Sequence, residues 1–159
     1  MSAGRWGGWV GLVARLVLGV VLLVSGYLKV GSLESSAEAV RAFKILPFDL
    51  ANLVGYVLPV LELAIGALLV LGLFTRLAAV AGNLLMVAFL IGIVSVWVRG
   101  ISIDCGCFGG GGVVAPEDTN YLWDVVRDAG LLLCGVWLTI RPRTPASMDR
   151  WLFGAPTRH

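Results

Sequence analysis

The chain has 159 residues, 58% hydrophobic and 14% charged, with a mean hydropathy of +0.92 and a formal net charge of +2. This composition does not describe a water-soluble globular domain, and its singly scattered Lys and Arg residues do not form the basic patch of a nucleic-acid footprint. One domain is expected from length, and four stretches reach the roughly 20 apolar residues that cross a bilayer core as a helix.

The first span covers about 9–30, with Arg5 and Trp6 before it. Its apolar run exceeds the 7 to 15 residues of a signal h-region and no A-x-A-like site closes it, so it is expected to stay as a helix. Arg15 is expected to snorkel toward the headgroups from near the inner end. Residues 31–49 turn polar, and Ala39, Val40 and Phe43 at helical spacing before Pro47 predict a short helix on the membrane surface, capped at Ser35 or Ser36. The second span, about 50–73, contains Pro59 and Glu62. A tight turn at Thr75-Arg76 makes the third span, about 77–98, antiparallel to it. There Ala78 with Gly82, and Ala88 with Gly92, lie four apart, the spacing that lets helices approach closely. A long loop, 99–120, follows; the fourth span covers about 121–140, and a basic tail runs over 141–159. The expected fold is all-α: an integral membrane four-helix bundle with an interfacial helix after the first span and a long loop between spans three and four.

Orientation follows from charge. Four spans put both termini and the Thr75-Arg76 turn on one side with Arg5, Arg76, Arg141, Arg143, Arg150 and Arg158. The other side holds Lys29, Arg41, Lys44 and Arg99 among many acids. By the positive-inside rule the termini are cytoplasmic and the long loop faces outward from the plasma membrane.

That loop carries Asp104-Cys105-Gly106-Cys107-Phe108-Gly109 and then three further glycines. A two-residue step reaches at most about 7 Å, and a disulfide needs its Cα atoms about 4.4 to 6.8 Å apart. Cys105 and Cys107 can therefore close only if the backbone bends at Gly106. Such a small ring belongs to the exchangeable class of disulfides, and the outward compartment allows disulfides to persist. Two other readings stay open: a partial metal site, two thiols being short of the four ligands of a structural zinc, and two unrelated thiols in a loop. Cys134, deep in the fourth span, reads as a packing residue. No metal set is assigned, and His159 stands alone at the terminus.

Charges inside spans are costly and face partners or water. Glu62 and Asp128 are expected at similar depth, about 10 Å below the outer helix ends, with Lys29 and Arg127 at or above that level. One reading is a relay that tunes the thiols, since positive charge favours thiolate. The other is an ion pair that fixes helix register.

Arg15 with Ser25-Gly26 and Lys29, Pro59 with Glu62, the DCGCFG motif at 104–109 and the Arg127-Asp128 pair together resemble the DoxX-like membrane proteins, in particular their MauE-type, redox-associated branch. The likeness covers about Arg15 to Ile140. It implies a membrane helix bundle that works with a thioredoxin-like extracytoplasmic partner in disulfide formation or transfer, with links in the family to methylamine dehydrogenase maturation and to quinone-linked chemistry. The expected site is Cys105 and Cys107 as exchanging thiols, supported by Lys29, Glu62, Asp104, Arg127 and Asp128. A quinone is the cofactor the resemblance raises, although no residue specifies one. The alternatives are a non-enzymatic assembly subunit with a static cysteine staple and, more weakly, a metal-handling protein; the oligomeric state is left open.

Overall fold

The computed structural model describes residues 3–104, 112–115 and 119–141, with side chains from residue 7 onward. The elements in chain order are α1 (Ala3–Val30), α2 (Leu33–Ala42), α3 (Phe48–Leu71), α4 (Thr75–Val98), β1 (Ile103–Asp104), β2 (Gly112–Val113) and α5 (Tyr121–Ile140). The described residues are mostly helical, and two short strands among them pair antiparallel, Ile103 opposite Val113 and Asp104 opposite Gly112.

Local chemistry sets most of the boundaries. In α2, Glu34 occupies the first turn and Arg41 the last, the arrangement a helix dipole favours. Lys44 then takes a positive φ of 50°, and Pro47, which cannot donate a backbone hydrogen bond, sits at the N-cap of α3. Helix α3 ends in a left-handed Gly72, whose N–H donates to the Leu69 carbonyl while that of Leu73 donates to Leu68. Such paired closing bonds mark a glycine C-cap. Phe74 is also left-handed, at φ 46°, so the reversal occupies Gly72 to Phe74. Thr75 and Arg76, expected to form the turn, instead open α4.

Each of the four long helices packs on two others, α1 on α3 and α5, and α4 on α3 and α5. Leu18, Leu22, Ile65, Leu69, Met86, Leu131 and Leu138 fill the centre. The outward faces are also apolar: Val98, Leu84 and Leu133 are among many exposed hydrophobics. A contiguous apolar exterior of this kind marks a surface made for something other than water. Three helices, Gly7–Val30, Phe48–Leu71 and Thr75–Val98, are long and apolar enough to cross a membrane. Helix α5 is of similar length, but Asp124, Arg127 and Asp128 crowd its first turns.

Close approach between helices occurs at glycines other than those expected. A Cβ on Gly19 would lie 3.2 Å from the Gly66 carbonyl oxygen, and one on Gly26 would lie 2.8 Å from that of Pro59. The α1–α3 seam therefore rests on glycines seven residues apart. On α4, Gly82 has only ordinary neighbours and Gly92 meets the Phe43 ring rather than another long helix. Arg15 also departs from expectation: its side chain is buried at 2% exposure, directed among the helices instead of out to headgroups.

Helix α2 folds back along the first part of α3. Ala37 lies against Gly55, Tyr56 Oη donates to Glu34, and the Arg41 guanidinium donates to Asn52. The expected surface helix is thus also a packed one, with Ser36, Ala37 and Ala39 buried. Its helix starts at Leu33, so Ser35 and Ser36 lie inside it and Ser32 is the N-cap residue.

Candidate functional site

Three helices, α1, α3 and α5, bring polar side chains together near the end of α1 and the start of α5. On α1, Ser25 and Lys29 are four residues apart and so share a face. Lys29 Nζ donates to Glu62 Oε1 on α3 at 2.6 Å, and Ser25 Oγ donates to Oε2 at 3.0 Å. Glu62 is fully buried, and both its oxygens have donors. The Lys29 ammonium also lies 4.9 Å from the centre of the Phe89 ring on α4, a cation–π contact that partly replaces lost hydration. Close passage of α1 along α3 at Gly26 makes this reach possible.

The second half of the cluster is on α5. Arg127 Nε donates to Asp128 Oδ1 at 2.8 Å, and Nη1 lies 3.0 Å from Asp124 Oδ1. Arg127 Nη2 is also 2.8 Å from Asp128 Oδ1, misaligned for a hydrogen bond but close enough to add charge attraction. Asp128 Oδ2 is buried and has no hydrogen-bond donor among the described residues. A small cavity joins the two halves, lined by Ser25, Met86, Phe89, Arg127 and Asp128, among others. The space open to the centre of a water is about 10 Å³, room for about one molecule.

Thus Lys29, Glu62, Arg127 and Asp128, which the sequence singles out, meet at one place. Ser25, Asp124 and Phe89 belong with them. The sequence signal for the first two was spacing: Ser25 to Lys29 at four residues, Asp124 to Arg127 at three. Glu62 lies deeper than the expected depth of about 10 Å, being 14 residues after Phe48, or about 21 Å along the helix. It still meets Lys29 at the end of α1 because α3 overshoots α1, and α2 covers the extra length.

Above this cluster stands the strand pair. Tyr121, the first residue of α5, donates from Oη to the Ile101 carbonyl at 2.6 Å and accepts from the Ile103 N–H at 2.9 Å. Trp97 stacks at a tilt against the same ring, centroids 6.3 Å apart. Ile103 is buried, Asp104 is exposed on β1, and both strands contact α2. Cys105 and Cys107 lie outside the described residues, in the seven-residue connection between the paired Asp104 and Gly112. Cys134 packs at the margin of the apolar core. Among the described residues no group of three or more His, Cys, Asp or Glu gathers as a metal site.

Fold and site together define a multi-pass helical membrane protein with buried ion pairs and a short strand pair beside the start of its last helix. The family model Methylamine utilisation protein MauE matches residues 7–141. The chain is 34% identical over 135 residues to Methylamine utilization protein MauE of Paracoccus denitrificans, an alignment covering 84% of this chain and 69% of that one. The chain belongs to the MauE family. No solved structure matches it.

Proposed function

We propose that this MauE-family protein is a membrane thiol-disulfide exchanger in which Cys105 and Cys107 react with a thioredoxin-like extracytoplasmic partner, serving protein maturation in methylamine utilisation or a related pathway. The observation that carries the reading is the antiparallel pairing of Asp104 with Gly112, latched by Tyr121. It holds the two ends of a segment containing two thiols together at the end of the molecule where the buried charges collect. In exchange, a thiolate of one protein attacks the disulfide of the other, one sulfur leaves as thiolate, and the attacker's second thiol resolves the mixed disulfide. One pair is oxidised and the other reduced, with two electrons and two protons transferred between them. Lys29, Glu62, Asp104, Arg127 and Asp128 support the site, and a quinone is a candidate for the onward electron acceptor.

The reading includes a four-helix bundle in the plasma membrane with α5 as a fourth crossing, both termini cytoplasmic and the cysteine segment outside. Support comes from the antiparallel course of α5 along α4. Tyr121 meets Trp97 at one end, Asn83 Nδ2 donates to Thr139 Oγ1 toward the other, and Arg141 lies against Gly7. The polar start of α5 is turned inward, where its charges have partners instead of lipid.

Replacing Cys105 or Cys107 with Ser tests the proposal. Loss of partner oxidation with normal protein abundance is expected. Lost abundance or lost assembly, with partner oxidation per molecule unchanged, would favour a static staple in an assembly subunit.

A further inference from the structure

The two halves of the buried cluster differ in how fully they are satisfied. Glu62 has a donor on each oxygen, from Lys29 and Ser25. Among the described residues Asp128 receives Arg127 on Oδ1 only, while Oδ2 is buried without a donor. An ionised carboxylate oxygen left so would forfeit its solvation for nothing in return. Charge counting among the described residues points the same way: Lys29 and Arg127 are two cations, whereas Glu62, Asp124 and Asp128 are three carboxylates. Lys29 and Glu62 balance each other, so the surplus negative charge falls on the α5 triplet. Within it Asp128 is the more buried, its side chain 3% exposed against 17% for Asp124. Among the described residues, the charged groups acting on Asp128 are Arg127 and Asp124 from α5 and Lys29 from α1. Helix α4 brings Met86 and Phe89 to the cavity, neither of them titratable, and Glu62 of α3 is reached through Ser25 and Lys29.

We infer that Asp128 is a proton-binding site: its Oδ2 holds a proton that is hydrogen-bonded to water in the cavity it shares with Ser25. The proton brings the five-group cluster to neutrality and gives Oδ2 a donor function in place of an unmet acceptor. Ser25 also lines this cavity and donates to Glu62, so a water there connects Asp128 to the Glu62–Lys29 pair. The site works whether or not the cysteines exchange, since it is defined entirely by α1, α3, α4 and α5.

Infrared spectroscopy on the full chain in lipid nanodiscs tests the inference directly. The wild type is expected to show, at neutral pH, the C=O band of a protonated carboxylic acid that shifts in heavy water. The band is lost in Asp128→Asn and kept in Glu62→Gln. Incorporating aspartate labelled with ¹³C at the side-chain carboxyl should move the wild-type band, which assigns the proton to an aspartate even if a variant folds poorly. The inference is overturned if the wild type has no such band, if the aspartate label leaves it in place, or if it survives Asp128→Asn.

Discussion

The α1–α3 seam and the start of α5 both bury charge, but they do so differently. At the seam, Gly26 lets the backbones close and Glu62 receives two donors, so the ion pair is saturated. At α5, one arginine serves two aspartates and, among the described residues, one carboxylate oxygen has no donor beside a water-sized cavity. A saturated buried pair fixes register, and its chemistry is closed. An unsaturated one retains a site where a proton or water can act, which is why the second region is the better place to look for function.

Breaking the saturated side should have the largest effect. Lys29→Met leaves Glu62 buried without its cation and is expected to lower stability by about 3–5 kcal/mol, measured as reversible unfolding in detergent micelles. Pairing it with Glu62→Leu should restore part of that loss, because both charges then leave the interior together. Gly26→Val sharpens the same side, since its side chain would press on the Pro59 carbonyl and Leu63. A cost of at least about 1–3 kcal/mol is expected from overpacking, with Gly82→Ala, which has only ordinary neighbours, tolerated. Tyr121→Phe removes the hydroxyl that bridges Ile101 and Ile103 and should cost about 1 kcal/mol. Its signature is faster amide exchange at Ile103 with the helices unchanged. Asp128→Asn keeps an acceptor for Arg127 and, like the protonated acid it replaces, carries no charge, so its unfolding free energy should change by less than about 1 kcal/mol. A loss as large as that of Lys29→Met would make the two regions alike.

The smallest expected effect is at the exposed face of α2. Tyr56 donates to Glu34 and Arg41 lies beside it, which holds the Glu34 carboxyl below its ordinary value. Because the folded-state value is the depressed one, these contacts contribute fully above the ordinary glutamate range and are lost as pH falls through the depressed value. Acidification should therefore loosen α2 from α3 slightly, seen as a shift of the Glu34 carboxyl resonance that moves to higher pH in Tyr56→Phe.

Much of this was legible in the sequence because rare residues in apolar helices have few places to go. Lys29, Glu62, Arg127 and Asp128 are expected to need partners or water because charge inside an apolar span is costly, and each has an ion-pair partner. The long helices followed from uninterrupted apolar runs. Other features left weaker traces. Two-residue strands carry no periodicity, so the pairing of Ile103–Asp104 with Gly112–Val113 inside a glycine-rich loop had no pattern to announce it. Small residues abound in this chain, and spacing of four favoured Gly82 and Gly92, whereas the close contact uses Gly19 and Gly26 at spacing of seven. The depth of Glu62 differs from expectation because α3 overshoots α1, and the extra length is covered by α2, where Ala37 lies against Gly55.

The most direct test of thiol exchange is trapping in intact cells. Cys105 and Cys107 are challenged with a membrane-impermeant alkylating reagent before and after mild reduction, and the products are read by mass spectrometry. The account predicts labelling only after reduction, and a mixed disulfide with another protein when either cysteine is replaced by Ser. Two thiols that label freely under oxidising conditions, with no trapped partner from either variant, would contradict it.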